Sequence, residues 1–175
     1  MRRACTPKPG TGELICTEAD FENLSWHDCH IHGVEFHIGK ADDGDWTSEL
    51  VLDIDYIVEW ICGRSGGEQF RVAPATLVFH EVTDLKIAID WGSSGFRSSL
   101  HVVSIGSIER ERLPARKAHS ERPYYSWRVR LNWPELGEIA FGAVGFTHTL
   151  RAEPVLTENQ SLPFTVRRSL SDRRS

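Results

Sequence analysis

The chain has 175 residues, 40% of them hydrophobic and 26% charged, with a net charge of −5. That is ordinary soluble composition for one domain, long enough to bury a core without help from a disulfide or a metal. The charge is uneven, +3 on residues 163–175 and +1 on residues 1–18, which leaves −9 on residues 19–162; this acidic body excludes nucleic acid as the main partner, because phosphate binding needs clustered Lys and Arg.

No apolar run approaches the roughly 18–20 residues of a membrane span. Met1-Arg2-Arg3 has the charge of a signal peptide, but no apolar segment follows it. The four cysteines, Cys5, Cys16, Cys29 and Cys62, form no CxxC pair. The expectation is a cytoplasmic protein with free thiols.

In chain order, residues 1–17 are rich in Pro, Gly, Thr and charge and read as disordered. Residues 18–24 suit a helical turn, with Thr17 as N-cap and Asp20 at the third position. From there the pattern is β. Residues 30–38 predict a strand, and residues 48–61 predict the clearest one. Leu52, Ile54, Tyr56, Val58 and Trp60 share one face of it; Val51, Asp53, Asp55, Ile57 and Glu59 share the other. A loop is expected from Cys62 to Glu68. Residues 69–82 predict a strand broken at Pro74, which cannot donate to a ladder.

Residues 85–91 alternate, Gly92–Gly95 reads as a loop, and another strand is expected over 99–108. Residues 109–122 are densely charged, contain Pro114 and read as an exposed loop. Tyr125, Trp127, Val129, Leu131 and Trp133 form an inward face. Pro134-Glu135-Leu136-Gly137 reads as a hairpin loop with Gly137 at positive φ. Residues 138–150 form the closing strand, whose Gly142 and Gly145 mark close backbone packing or a bulge. Residues 163–175 read as a basic, disordered tail. The expected fold is all-β: one domain over 18–162, an antiparallel two-sheet sandwich or flattened barrel of about eight strands with a short N-terminal helical turn.

Half of the eight histidines lie in Trp26-His27-Asp28-Cys29-His30-Ile31-His32-Gly33-Val34-Glu35-Phe36-His37. On a regular strand His30 and His32 share one face, opposite Cys29, Glu35 and His37. Two histidines at that spacing can reach one zinc or other divalent ion, with a third ligand from another strand; His80 is the candidate, and His101 and His148 sit in other predicted strands. The competing reading is a set of hydrogen-bonding histidines and no cofactor. His27-Asp28 reads as a structural turn, because adjacent strand residues point to opposite faces. Cys29 is a nucleophile only if its thiol has a low pKa and access. The sequence contains no GxSxG elbow, P-loop, GxGxxG after a strand, or HExxH.

Asp53, Asp55 and Glu59 are candidate contacts for a basic partner, or a carboxylate pair for acid–base work. Trp60, Trp91, Trp127 and Trp133 are expected inside. Trp26 and Trp46 flank the first long strand and are candidate aromatic anchors.

The opening Leu24-Ser25-Trp26-His27-Asp28 resembles a group of small bacterial proteins that begin with a Trp/Phe-His-Asp turn. Among them is the immunity protein 50 family of polymorphic toxin systems. Ile139-Ala140-Phe141, Gly145-Phe146 and Leu150-Arg151-Ala152-Glu153-Pro154 are similar to that group's closing strand. The resemblance implies an antiparallel β fold and a binding role, and it carries over no catalytic residue. The expected function is a non-catalytic module that binds another protein, with a metal-binding protein or metal-dependent enzyme built on His30 and His32 as the alternative.

Overall fold

The structure, a computed structural model, describes residues 6–7, 14–62, 67–91, 102–114 and 122–167. Among these it contains eleven strands: β1 (Thr6–Pro7), β2 (Leu14–Thr17), β3 (His30–Ile38), β4 (Ser48–Cys62), β5 (Glu68–His80), β6 (Thr83–Ala88), β7 (Val103–Arg112), β8 (Tyr125–Trp133), β9 (Glu138–Ala143), β10 (Gly145–Leu150) and β11 (Val155–Thr157). The all-β antiparallel expectation holds. The two layers, however, belong to one open sheet, ordered β1-β2-β10-β5-β4-β3-β7-β8-β9-β6, with β11 pairing β5 off that path. Among the described residues its two halves are joined as paired strands where His30 and Ile31 of β3 pair Ser104 and Val103 of β7. The sheet folds over at that short junction and buries one face against itself.

The core lies inside the fold. Leu50, Leu52 and Ile54 of β4 and Val72, Leu77 and Phe79 of β5 pack with Trp127 and Val129 of β8 and Ile139 and Phe141 of β9. Phe79 stands edge-on to Phe141 at 4.6 Å and to Trp127 at 5.2 Å between ring centroids. Trp127 keeps its indole N–H satisfied by donating to the Ala143 carbonyl at 3.2 Å. Each large side chain buried this fully contributes roughly 1.5–3 kcal/mol.

Several boundaries depart from the alternation pattern, each for a local reason. β5 runs straight through Pro74 because that residue sits at a seam. Its outer neighbour is β11 along Phe70–Val72 and β10 along Ala75–His80. The Pro74 carbonyl faces the seam and accepts the Arg151 N–H at 2.8 Å, so the missing N–H faces there too. Residues 138–150 form two strands rather than one. At Val144 the chain leaves β8 and β6 for β5 and β2, crossing between the two halves. Gly142 serves the close packing expected of it, since a Cβ there would lie 2.7 Å from the Tyr124 hydroxyl. In the 134–137 loop Leu136, not Gly137, takes positive φ (65°). A side chain on Gly137 would instead run into Leu131 at 2.6 Å. The charged run from Glu109 to Arg112 belongs to β7, where cross-strand pairs such as Arg130 with Glu109 (3.3 Å) accommodate it.

β2, within residues 1–17, pairs β10, and residues 164–167 are helical. The expected turn after Thr17 is a 3-10 helix, Glu18–Asn23, with the Thr17 N–H held by the Asp20 carboxylate at 3.0 Å. Cys16 is disulfide-bonded and Cys29 is free. The expectation of free thiols therefore fails at Cys16, and the cytoplasmic placement loses that support, because disulfides persist in oxidising surroundings. Cys5, His101 and the Gly92–Gly95 loop lie outside the described residues. No helix among the described residues is long and apolar enough to cross a membrane.

Candidate functional site

The functional residues named by the sequence lie on and around the outer face of the β3-β4-β5 sheet, and a bulge decides which of them meet. His30 stands opposite Asp55 and Gly33 opposite Asp53, so His32 is an extra residue in β3. A one-residue bulge inverts the alternation beyond it. Gly33, Glu35 and His37 are thereby brought to the face that carries His30, opposite Asp53, Val51 and Glu49 of β4. Cys29 stays behind on the core side.

Asp55 is the centre of this face and is completely buried. His32 Nε2 lies 3.0 Å from its Oδ2, and the Leu162 N–H donates to the same oxygen at 2.8 Å. Arg167 donates one guanidinium nitrogen to Asp55 and the other to Asp53, which also accepts from Arg151. Burial pushes the Asp55 carboxyl up, but the His32 and Leu162 hydrogen bonds and the Arg167 charge outweigh it and hold the group below the ordinary carboxylate value. His30 is shifted down, first by burial and then by the neighbouring His32. The Asp53–Asp55 pair thus meets its cations within the chain. Glu59, beyond a second irregularity after Ile57, pairs Arg71 at 3.1 Å on the surface.

His27 and Asp28 occupy a turn closed by the Cys29 N–H on the Trp26 carbonyl (3.0 Å), with Asp28 at φ 62°, a conformation Asp tolerates better than most residues. The Asp28 carboxylate accepts from Asn132 at 2.5 Å and Gln160 at 3.2 Å, and His27 Nδ1 lies 3.0 Å from it. The pair does sit in a turn, but Asp28 accepts from side chains of two distant segments and His27 meets Asp28 itself. Cys29 is buried beneath, its sulfur accepting the Ile57 N–H at 3.4 Å. Burial, helped by the nearby charges of Asp28 and Asp55, pushes its thiol up to about 12, so almost none is thiolate at neutral pH.

His80 does not join His30 and His32. It sits at the other end of the face, Nδ1 2.9 Å from Glu49 and Nε2 2.8 Å from the Thr147 hydroxyl, with His37 on the far side of Glu49. Among the described residues no three His, Cys, Asp or Glu side chains stand together as metal ligands. His148, the other described candidate for a third ligand, is buried edge-on to Tyr56 at 4.5 Å, and burial lowers its pKa to about 4.

The tryptophans separate sharply. Trp26 is buried, not an exposed anchor, because the turn folds its indole against Phe21 and Phe146 (5.7 and 5.5 Å). Trp60, expected inside, is half exposed beyond the β4 irregularity, resting on Phe70. Trp133 is likewise exposed at the end of β8, where register shifts from Ser104 onward.

Trp46 is 79% exposed in the loop between β3 and β4, and Ile38 (79%) and Phe36 (52%) are exposed on the last residues of β3. The loop that carries Trp46 is tightly built. The Gly39 N–H donates to the Thr47 carbonyl at 2.8 Å, and the Lys40 carbonyl accepts from Asp43 and Asp45 at 2.9 and 3.1 Å. Asp45 accepts from the Thr47 amide and hydroxyl, at 3.0 and 2.6 Å, which lowers its pKa. Gly39 has to be glycine, since a Cβ would fall 2.4 Å from Asp45 Cγ, and Gly44 takes φ 80°. Position beside the first long strand flagged Trp46; the spacing Gly39…Gly44-Asp45-Trp46-Thr47 was the available signal for a tightly turned loop.

No protein-family model matches the chain, and neither a curated protein nor a solved structure matches it significantly.

Proposed function

We propose that this chain is a non-catalytic module that binds a basic protein through the tip of its β3–β4 hairpin. The exposure of Trp46, Ile38 and Phe36 on a hydrogen-bonded loop carries the reading. Large apolar side chains left in solvent are the anchors that protein interfaces bury. The hairpin loop that carries Trp46 is acidic, with Asp42, Asp43 and Asp45 against one lysine, Lys40. That charge steers a basic partner and rejects an acidic one. The neutralised Asp53–Asp55 pair and the high pKa of Cys29 support a role without covalent chemistry. Toxin neutralisation, the version the sequence resemblance implies, would place a basic toxin on this tip.

The test is affinity purification of the tagged full chain from the cells that make it, beside an Ile38→Ser/Trp46→Ala variant and a Trp60→Ala control. A stoichiometric basic protein should accompany the wild type and the control and be lost from the double variant. A partner retained by the double variant removes the hairpin from the proposal.

A further inference from the structure

The core opens to solvent at the end where β3 finishes and β4 begins. Phe36 lies directly opposite Leu50, and Ile38 opposite Ser48, so each shares the face of its β4 neighbour. Leu50 is fully buried on that face, whereas Phe36 and Ile38 are exposed. Val82 and Leu85, where the chain enters β6, pack on the core from the other half of the sheet. A cavity of about 150 Å³ lies between, lined by Phe36, Ile38 and Leu50 and by Val82 and Leu85. Its walls are tied to each other. The Val82 N–H donates to the Ser48 carbonyl at 2.8 Å, and the Ser48 hydroxyl donates to the Val82 carbonyl at 2.7 Å. The opening is thus formed before anything enters it, which lowers the ordering cost of binding.

Size and charge define the occupant. Sites for whole small molecules run to about 300–1,000 Å³; this smaller cavity suits one side chain. Apolar walls select an apolar side chain. Among the described residues that line it, two are carboxylates, Glu49 and Asp84, and none is Lys or Arg. Glu49 is engaged by His80. Asp84 is exposed, its carboxylate accepting the Thr83 hydroxyl at 2.9 Å, and its charge stands in solvent at the rim. We propose that this cavity takes one branched apolar side chain of the protein partner, carried beside a Lys or Arg that meets Asp84. The proposal rests on the reading of the neighbouring hairpin as the contact surface, and adds what that surface selects.

The probes are isopentylammonium and 4-methylpentanoate, which carry the same branched apolar group and opposite charges, with methylammonium as a cation that lacks the group. Each is titrated into the full chain while the methyl signals of Ile38, Leu50, Val82 and Leu85 are followed by NMR. Isopentylammonium should shift these signals saturably, and methylammonium should leave them in place. The anion should bind at least about threefold more weakly, the effect of one exposed charge pair. In Asp84→Asn, at a position whose positive φ (54°) Asn tolerates, the two larger probes should bind alike. Equal binding of those two by the wild type, or a preference for the cation that survives in Asp84→Asn, overturns the charged rim. No shift with isopentylammonium, or the same shift with methylammonium, overturns the apolar cavity. The same methyl signals moving as the protein alone is concentrated would put a second copy there and overturn the partner's side chain as occupant. None of these readouts involves Trp46, so the cavity fails or stands separately from the capture of a partner by the hairpin.

Discussion

His148 makes the pH dependence of stability a sharp test of the packing. Its ring is buried among Tyr56, Trp26 and the β10 backbone, and its pKa falls from 6.5 to about 4. Between those values the unfolded chain binds a proton that the folded chain refuses. Stability from this group is therefore complete above about pH 6.5 and declines as pH falls towards 4. The gap corresponds to about 3 kcal/mol at full development, a large part of the 5–15 kcal/mol typical of a domain. The comparison is wild type with His148→Leu, which keeps the volume and removes the titration. Urea unfolding followed by tryptophan fluorescence at pH 7, 6, 5 and 4 gives both profiles. His30, also shifted down, tilts both in the same direction and cancels in the difference. The wild type should lose about 3 kcal/mol more than the variant from pH 7 to 4. Parallel profiles would refute the burial of a neutral imidazole at this position.

Three further outcomes follow from the same geometry. Asp55→Ala leaves Arg167, His32 and the Leu162 N–H without their shared acceptor, and should cost about 3–5 kcal/mol in chemical denaturation, whereas Glu59→Ala, a surface pair, should cost less than about 1. Cys29 should resist a thiol reagent such as dithionitrobenzoate in the folded chain and react at once in denaturant; rapid native labelling traced to Cys29 by peptide mapping would contradict its burial. Trp46→Ala should change unfolding stability by less than about 0.5 kcal/mol, because the side chain packs against little, and a larger loss would mean the indole serves the fold.

The sequence made the strands more legible than their faces. The alternation of 48–61 and 125–133 reports half-buried strands directly, and both appear with almost the expected limits. Burial on β4 was harder to read. Asp53 and Asp55 look solvated by alternation, yet their partners, Arg151 and Arg167, lie 98 and 114 residues away, at no spacing that marks a pair. The His30–His37 face was misread at one residue, because a bulge at His32 leaves no signature beyond the adjacent glycine. The crossing at Val144 hides for the opposite reason, since both strands around it are apolar and read as one run. Trp26 depended on where a single turn with Asp28 at positive φ would aim the indole. Trp46 was visible as a candidate because it flanks the first long strand, but the backbone bonds across Gly39–Thr47 that build its loop were not.

The most direct test of the hairpin as a contact surface is a photo-cross-linking amino acid placed at position 46 of the full chain in its own cells, beside the same residue at Arg128 on the other half of the sheet. Position 46 should give one discrete adduct with a basic protein that fades as salt rises before irradiation, and position 128 none. The absence of any adduct at 46, or the same adduct from both positions, would contradict it.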